Sequence, residues 1–473
     1  MAGAWETLGA AGGILSQDSA DHTYENDRVT NTPPDSSGRR VLLLMASQTY
    51  RAGAFLEAAT RLNMPVAVGS EQDQPLAHLN PAGHLVVDFH DLEGATDKIV
   101  QFAQDYPFDA IVSTDDDGVV LAAMASDALG MPHNPLVAVL SARDKYQTRQ
   151  ALTAAGMRSP EYQRFSVDDD PQEAAARVSY PCVVKPLALA ASRGVMRADN
   201  PEQFVVAFER LVSILSGIEH GDGTPVGDQI LVEGFIPGDE VAVEGLLVAG
   251  DLKVLAIFDK PDPLDGPFFE ETIYVTPSRH PTEVQDEIVD ATRQAIAALG
   301  LTEGPIHAEM RVNEHGVWIL ELAPRSIGGY CSRALRFGAD AALEELILQQ
   351  ALGRPLGSTE PASPASGVMM IPIPEAGILC EVRGVETARE VPGIDEIRLT
   401  LPVGQAVVPL PEGSQYLGFI FSRAENPERA EAALRRAHQL LTFVILPPDE
   451  AETHQPGRMA VDVLEASKHN GPN

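Results

Sequence analysis

The sequence predicts a chain of the α/β and α+β classes, with a small parallel α/β domain first and a smaller α+β domain last. Between residues 41 and 135, short apolar runs alternate with helical patterns, which is typical of a domain built on a parallel sheet. From about residue 136 the strands become longer and a hairpin pattern appears. The length of 473 residues, at roughly 150 residues per domain, suggests about three domains.

The first domain, 41–135, is predicted to contain four strands and three helices. Residues 41–45 form a continuous apolar run, as in a strand that is buried on both faces of a sheet. The other strands are predicted at 65–69, 85–87 and 110–113, and the helices at 51–63, 94–104 and 117–129. Residues 1–40 show no sustained period, and we expect them to form a flexible arm.

The second region, 136–352, is predicted to hold the longer strands. A helix over 141–155 should end at Gly156, because glycine commonly follows the last helical turn. The remaining elements are predicted as strands at 182–185, 230–233, 240–248 and 252–258, helices at 201–216, 282–299 and 339–352, and a hairpin at 305–322. Residues 259–280 have the composition of a mobile segment.

The last region is predicted to be a separate small domain. Residues 353–367 are rich in Pro, Ser and Gly, which indicates a linker. Residues 368–446 then form an α+β domain with a helix at 427–441, and the polar tail 447–473 is expected to be loose.

Composition limits the function classes. The formal charge of −34 and the pI of about 4.6 argue against unaided binding to nucleic acid or to an anionic membrane surface. The three cysteines are far apart and lack metal-ligand spacing, so we expect neither disulfides nor a zinc site. No apolar run is long enough to span a membrane, and no basic residue precedes Arg28, so we expect a cytoplasmic protein without a secretory signal.

Two lysines are placed where a phosphate could bind. Lys185 ends a predicted apolar strand, and Lys145 lies in the segment Ala-Arg-Asp-Lys-Tyr. The loop after Lys185 contains Ser192 and Gly194, and small residues let backbone amides approach an anion closely. Taken alone, the loop is more often an ordinary surface turn, and Lys185 is more often a snorkelling or salt-bridged lysine.

The stretch 232–240 joins two predicted strands with a carboxylate at each end. Glu233 ends the first strand, Phe235 and Ile236 follow, and Glu240 begins the second. Such a hinge can offer backbone groups and an apolar wall to a purine ring, with Glu240 accepting hydrogen bonds from ribose hydroxyls. The alternative is an acidic turn between two strands.

The hairpin 304–322 is the most informative segment. The alternation of a strand places His307, Glu309 and Arg311 on one face, with apolar residues on the other. If residues 314–316 form a three-residue loop, Glu309 lies directly opposite Glu321. Two facing carboxylates are destabilising unless a cation lies between them, and carboxylates with substrate phosphates commonly hold Mg²⁺. The alternative is one solvated carboxylate, with the register shifted by one residue. Arg325 follows, where it could contact phosphoryl oxygens or form a structural salt bridge.

Taken together and in order, these residues resemble the ATP-grasp superfamily over roughly residues 41–345. The amino-acid ligase branch, which includes dipeptide synthetases and carnosine-synthase-like enzymes, is the most similar. The segments that carry this likeness are Gly-Pro-Ile-His-Ala-Glu (304–309), Arg-Ser-Ile-Gly-Gly (325–329), Asp-Lys-Pro (259–261), Phe-Glu-Glu-Thr (269–272) and Pro277. The resemblance implies an ATP-grasp fold with an N-terminal Rossmann-like (pre-ATP-grasp) domain and a C-terminal α+β domain.

The resemblance also implies roles for individual residues. The implied ATP ligands are Lys145, Lys185, Ser192 and Gly194 at the phosphates, Glu233, Phe235 and Ile236 at the adenine, and Glu240 at the ribose. Glu309 and Glu321 would bind Mg²⁺, or Mn²⁺, with Glu321 bridging two ions. Arg325 would stabilise the acyl-phosphate and tetrahedral intermediates, and Lys260 would reach the γ-phosphate. The substrate-side candidates are Glu271, His307, Gly328, Gly329 and Arg333.

The activity implied is an ATP-dependent ligase that joins a small carboxylate to an amine, with the loops 186–195 and 259–280 closing as lids. One residue departs from the family pattern, because Ala323 stands where an Asn commonly follows the second glutamate. This keeps a non-catalytic nucleotide-binding regulatory protein open as an alternative. Purine-pathway ligases and biotin-dependent carboxylase subunits are further alternatives of the same fold. A homodimer is the default expectation for oligomeric state.

Overall fold

The computed structural model describes residues 39–47, 49–72, 80–187, 189–218 and 227–452. The predicted arm lies outside the described residues except for Arg39 and Arg40, and so does the predicted tail from residue 453 onwards. Within the part of the chain that is described, no helix combines the length and the apolar character needed to cross a membrane.

The N-terminal part is a four-stranded parallel sheet with helices between its strands. Its elements are β1 (Val41–Leu44), α1 (Ala52–Arg61), β2 (Val66–Ser70), β3 (His84–Val86), α2 (Leu92–Asp105), β4 (Ala110–Ser113) and α3 (Val119–Ala128). The strand order is β3-β2-β1-β4, and β1 is completely buried because it lies inside the sheet and its two faces pack into separate apolar clusters. The alternation of strands and helices predicted this α/β arrangement correctly.

The next region begins with two helices where the sequence analysis predicted one over 141–155. They are α4 (Leu136–Arg143) and α5 (Lys145–Ala154). The prediction was wrong because Asp144 has an extended backbone conformation, and its side chain accepts hydrogen bonds from the backbone N–H groups of Tyr146 and Gln147. Asp144 therefore caps a new helix, whose first residue is Lys145.

A small antiparallel sheet follows. Its elements are β5 (Tyr162–Ser166), α6 (Pro171–Ala175), β6 (Cys182–Pro186), β7 (Met196–Ala198), α7 (Pro201–Ser216) and β8 (Gln229–Gly234), with the strand order β5-β8-β6-β7. The apolar face of α7 buries Phe204, Phe208 and Leu211 against Phe165 and Val184. The sheet leaves Lys185 near the end of β6, at the edge of a cleft.

The described residues from 239 to 452 build an eight-stranded antiparallel sheet, a three-stranded sheet and a two-stranded sheet. The elements up to residue 351 are β9 (Asp239–Val248), β10 (Asp251–Lys260), β11 (Ile273–Thr276), α8 (Thr282–Leu299), β12 (Gly304–Asn313), β13 (Gly316–Ala323), β14 (Arg336–Phe337), β15 (Ala341–Ala342) and α9 (Leu343–Ala351). The later ones are β16 (Ala365–Ile371), β17 (Gly377–Arg383), α10 (Val385–Arg389), β18 (Ile394–Leu399), β19 (Ala406–Val407), β20 (Gly418–Ala424), α11 (Pro427–Gln439), β21 (Thr442–Leu446) and α12 (Pro448–Ala451).

The strand order of the large sheet, β13-β12-β9-β10-β11-β16-β20-β18, joins the central and C-terminal regions. Strand β11 lies inside the segment 259–280 that was predicted to be mobile, and it pairs with β16 of the C-terminal region. The prediction failed there because Ile273–Val275 are buried between two neighbouring strands. The predicted linker 353–367 likewise ends inside a strand, since β16 begins at Ala365.

The hairpin of β12 and β13 places Glu309 opposite Glu321, as predicted, but for a different reason. Asn313 pairs with Gly316, so the loop has two residues instead of three. Gly316 has a φ of 107°, a conformation that favours glycine. A β-bulge then restores the register, because Met310 pairs with Ile319 while Glu309 pairs with Glu321, which leaves Leu320 as the extra residue.

Candidate functional site

One cavity of about 600 Å³ is lined by the N-terminal domain, the small sheet, the large sheet and the C-terminal region. Most of the site residues indicated by the sequence line this cavity, namely Lys145, Lys185, Ser192, Glu233, Phe235, Ile236, Glu240, Glu271, His307, Glu309, Glu321, Arg325, Gly328 and Gly329. The fold therefore brings together residues that are as far as 184 positions apart, from Lys145 to Gly329. Gly194, Lys260 and Arg333 do not line it.

The facing carboxylates of Glu309 and Glu321 stand at the edge of this cavity. Burial raises the pKa of Glu309, but Lys260 and His307 together bring it well below its usual range. Lys145 Nζ lies 3.9 Å from Glu321 Oε2. Carboxylate oxygens on adjacent strands, with the Glu321 side chain 39% exposed, are a suitable donor set for a divalent cation that also binds substrate phosphates.

Lys260 lies beneath these carboxylates and does not face the cavity. Its Nζ is 2.8 Å from Glu240, 2.5 Å from Glu271 and 3.1 Å from Glu309. An ammonium group has three N–H donors, and here three carboxylates surround it. The structure thus gives Lys260 a different setting from the predicted contact with a γ-phosphate. Its charge lets acidic oxygens of Glu240, Glu271 and Glu309 lie within 4.8 Å of one another.

His307 is enclosed by two carboxylates. Its Nδ1 lies 3.0 Å from Glu244 and its Nε2 lies 3.2 Å from Glu309. Burial lowers the pKa of His307, but its hydrogen bonds to Glu244 and Glu309 more than offset this and raise the pKa to about 9. Both oxygens of Glu244 also accept from the backbone N–H of Ile327 at 3.0 Å. The imidazolium thus fixes Glu309 from one side and, through Glu244, the segment that follows Arg325.

Glu233 is buried between two cations instead of being free to bind a base. Lys185 Nζ lies 2.7 Å from one of its oxygens, and Arg149 Nε lies 2.6 Å from the other. Burial raises the pKa of Glu233, but Arg149 and Lys185 reverse the effect and lower it to about 2. The charged triad fixes the head group of Lys185 at the cavity wall. Phe235 and Ile236, which follow, line the cavity as expected.

Arg149 was missed by the sequence analysis, although it connects Glu233, on the lysine-lined side of the cavity, to the strand that carries Glu321. Its guanidinium also donates to the carbonyl oxygens of Ile319 at 2.7 Å and Leu320 at 3.0 Å. These are the two residues at the β-bulge that sets the register of Glu321. A buried arginine on α5 therefore stabilises the backbone irregularity on which the facing carboxylates depend. Its sequence context, a helix position among Gln and Thr, gave no sign of this.

Arg325 is oriented by an aspartate of the N-terminal domain. Its Nε donates to Asp116 Oδ2 at 2.9 Å, and Arg143 lies 3.0 Å from the other oxygen of Asp116. Burial raises the pKa of Asp116, yet Arg325 and then Arg143 lower it to about 2. Asp116 was also missed, although it follows β4 at the carboxyl edge of a parallel sheet, where ligand sites commonly lie.

One end of the cavity has a wall of aromatic side chains. Tyr50, Met370, Tyr416 and Phe419 line it, and Tyr416 packs edge-on against Phe419 with ring centroids 6.0 Å apart. Gly329 lies against this wall, and a Cβ there would come within 3.3 Å of the Phe419 ring. Arg333, predicted as a substrate ligand, is directed away and pairs with Glu396 at 2.9 Å. Glu240 is likewise held by a protein partner, since Arg311 Nε donates to it at 3.0 Å.

Comparison with known proteins gives three family matches along the chain. Residues 56–133 match the ATP-grasp N-terminal domain, residues 178–334 match the ATP-grasp domain, and residues 369–445 match the L-amino acid ligase C-terminal domain 2. The matches fall, in this order, on the N-terminal domain, on most of the small and large sheets, and on the C-terminal region.

Individual relatives agree with these matches. The crystal structure of an L-amino acid ligase from Bacillus licheniformis superposes with a TM-score of 0.71 at 26% identity, covering 86% of this chain and 99% of that one. Alanine–anticapsin ligase of Bacillus amyloliquefaciens is 27% identical over 249 residues, which are 50% of this chain and 52% of that protein. Carnosine synthase 1 of Gallus gallus is 31% identical over 283 residues, which are 58% of this chain and 29% of that protein. The alignments therefore span about half or less of these two ligases.

Proposed function

The chain belongs to the ATP-grasp superfamily and carries the C-terminal domain of the L-amino acid ligases, and from this premise we propose that it joins an amino-acid carboxylate to an amine with ATP. The observation that carries the proposal is one cavity in which Glu309 faces Glu321 beside Arg325, between a lysine-lined end and an aromatic end. Such a cavity can hold a nucleotide at its lysine-lined end and the substrates that react with it at its aromatic end. The products are an amide, ADP and phosphate.

The lysine-lined end is the nucleotide end. Lys145 and Lys185 contact the phosphates, and Ser192 lies over them in the loop after β6. Phe235 and Ile236 form an apolar wall for adenine. The remaining acceptor sites of Glu240 are available to ribose hydroxyls, because a carboxylate has about four acceptor sites and Lys260 and Arg311 use two of them. Glu233 acts behind this surface by fixing Lys185.

Glu309 and Glu321 hold magnesium, or manganese, together with the nucleotide phosphates. When bound, the ion neutralises phosphate charge and lowers the barrier to attack on phosphorus. Ala323 contributes no ligand, so the two glutamates and the phosphates supply the anionic donors. Lys260 and His307 keep Glu309 ionised, since each stabilises its charged form.

The reaction proceeds in two chemical steps. The substrate carboxylate attacks the γ-phosphorus of ATP, the bond from this phosphorus to the β,γ-bridging oxygen breaks, and an acyl phosphate and ADP form. The neutral amine then attacks the acyl carbon, phosphate leaves with the electron pair of the carbon–oxygen bond, and the proton lost by the amine nitrogen passes to the departing phosphate. Arg325, oriented by Asp116, stabilises the negative charge on the phosphoryl group and on the tetrahedral intermediate.

The aromatic end receives one substrate side chain. Tyr416, Phe419 and Met370 present a wall suited to a bulky apolar side chain, whose burial contributes on the order of 1–3 kcal/mol to recognition. Glu271 lines the cavity together with Tyr416, where it attracts a substrate ammonium group. The expected homodimer and the expected cytoplasmic location stay predictions.

The test is release of ADP from Mg·ATP by purified protein with amino acids added singly and in pairs, together with mass spectrometry of the products. ADP that appears only with a particular pair, with a new mass equal to the sum of the two less water, supports the proposal. Nucleotide binding without ADP release from any acceptor mixture contradicts it and favours a non-catalytic nucleotide-binding regulatory protein.

A further inference from the structure

The loop after β6 is tied to a distant segment of the C-terminal region. The backbone N–H of Gly194 donates to the carbonyl oxygen of Pro411 at 2.9 Å, and Arg193 Nε donates to the carbonyl oxygen of Glu412 at 2.8 Å. Gly194 has a φ of 75°, and a Cβ there would lie 2.8 Å from Leu211. This close packing explains the glycine. The predicted contact of Gly194 with a phosphate is replaced here by a contact with Pro411.

A bidentate ion pair reinforces this connection. Arg210 on α7 donates to both carboxylate oxygens of Glu412, from Nε at 2.6 Å and from an Nη at 2.9 Å. The same guanidinium lies over the ring of Phe268, 5.0 Å from its centroid. The hydrogen bond from Arg210 lowers the pKa of Glu412, so the carboxylate is charged at neutral pH. We call Arg193, Gly194, Arg210, Pro411 and Glu412 the clasp.

Both halves of the clasp continue directly into the cavity wall. On the β6 side, Ser192 and Arg193 line the nucleotide end. On the C-terminal side, Ser414 and Tyr416 line the opposite wall, two and four residues after Glu412. Gly413, which lies between Glu412 and Ser414, makes a tight turn, and its N–H donates to the carbonyl oxygen of Pro409 at 2.8 Å. A displacement of either wall is therefore transmitted to the other through a short stretch of backbone.

We propose that Glu412 is a positioning residue that couples the two ends of the cavity. Its carbonyl oxygen accepts from Arg193 and its carboxylate accepts from Arg210, so that it holds the loop 189–195 over the bound nucleotide, and a substrate packed against Tyr416 strengthens this hold. The inference rests on the proposed function and adds to it a physical link between substrate binding and retention of the nucleotide. By linkage, each ligand then strengthens the binding of the other by the same factor.

The size of the effect follows from the exposure of the pair. The side chains of Arg210 and Glu412 are 39% and 41% exposed, so solvent weakens their attraction and salt screens it further. We therefore expect changes of about threefold to fivefold on loss of the ion pair, with the backbone contacts of the clasp retained. The same effect should be produced in the unaltered protein by about 1 M salt.

The experiment measures dissociation of a fluorescent ADP analogue and the ratio of ADP to amide formed. Glu412→Gln keeps the size of the side chain and removes its charge, and Arg210→Glu combined with Glu412→Arg restores the pair with opposite polarity. Glu386→Gln, which removes an exposed ion pair with Arg389 on α10 of the same region, is the matched control. Melting temperatures of all variants separate a structural loss from a loss of coupling.

The expected result is threefold to fivefold faster release of the analogue by Glu412→Gln, partial recovery by the reversed pair, and no change in Glu386→Gln. More than one ADP per amide in Glu412→Gln would add that the clasp shields the acyl phosphate from water. Unchanged release from Glu412→Gln, or no recovery by the reversed pair, overturns the inference. Because analogue release is measured without turnover, it decides the inference even if the unaltered protein forms no amide, which would instead contradict the proposed function.

Discussion

Asp116 accepts a hydrogen bond from Nε of Arg325 at 2.9 Å, across 209 residues of sequence. The aspartate belongs to the N-terminal domain, and the arginine follows the last strand of the hairpin that carries both facing glutamates. Arg143 occupies the second oxygen of Asp116 at 3.0 Å. The N-terminal domain thus fixes the orientation of the Arg325 side chain, which is long and flexible and could otherwise adopt several positions.

Replacing Asp116 by Asn should reduce kcat about 10-fold to 100-fold while leaving nucleotide affinity nearly unchanged. Asn keeps the shape and one hydrogen bond but removes the charge that holds Arg325, and small misplacements of a catalytic group are costly. Steady-state kinetics and equilibrium binding of ATP measure the two effects separately. Asp105→Asn, at the end of α2, is the control and should behave as the unaltered protein does. An equal loss of affinity and kcat would contradict a positioning role.

Removal of one facing carboxylate should abolish metal-dependent turnover. Glu321→Gln should lower ADP release by on the order of 10³-fold, because the amide is a poor anionic ligand and leaves phosphate charge uncompensated. A magnesium titration of nucleotide binding, followed by calorimetry, should show a lower apparent affinity for the ion. Glu314→Gln, in the exposed loop of the same hairpin, is the matched control. Normal ATP turnover by Glu321→Gln would contradict the proposed metal site.

Much of this site could be predicted because its residues can be recognised from their immediate neighbours in the sequence. Lys185, Glu309 and Glu321 each stand in or beside an apolar strand, where an isolated charge is costly and therefore informative. The position of Glu309 opposite Glu321 was predicted from the alternation of the strands and from a three-residue loop ending at Gly316. The prediction succeeded although the loop is one residue shorter, because the bulge at Leu320 compensates for the difference.

The features that could not be predicted depend on contacts between distant segments. Arg149 supports the bulge by donating to Leu320, 171 residues away, and nothing in its local pattern shows this. Strand β11 was not predicted, because its short apolar run becomes a strand only when β10 and β16 pair with it. The prediction of one helix over 141–155 was wrong for a different reason, because a polar residue within a helical pattern, here Asp144, can equally cap a second helix.

The buried triad of Glu233, Arg149 and Lys185 should make stability depend on pH. The pKa of Glu233 is lowered to about 2 in the folded chain, against roughly 4.3 in an unfolded one. The carboxylate therefore contributes stability that is fully present above about pH 4.3 and is lost as the pH falls towards 2. The shift corresponds to roughly 3 kcal/mol.

Denaturant unfolding of the unaltered protein and of Glu233→Gln measures this contribution. The difference in unfolding free energy should be constant between about pH 8 and pH 5 and should shrink below that range. Glu161→Gln, on the solvent-facing loop before β5, is the control and should show a much smaller pH-dependent difference. A difference for Glu233→Gln that stays constant down to pH 3 would show that the carboxylate is not held by its two cations.

Replacing Tyr416 by Ala should change which amino acids the protein joins. The substitution removes the ring that packs against Phe419 at the aromatic end of the cavity, so a bulky apolar substrate loses its wall while a small one does not. We expect kcat/KM to fall about 10-fold to 200-fold for a substrate with a bulky apolar side chain and by less than about threefold for alanine. Competition between the two substrates, read by mass spectrometry of the products, measures the ratio directly. Tyr106→Ala, in the N-terminal domain, is the control, since its ring stacks on Phe102 and does not line the cavity. An equal loss of kcat/KM for both substrates would contradict the prediction, because it would mean that the reacting groups, and not the substrate side chain, lie against Tyr416.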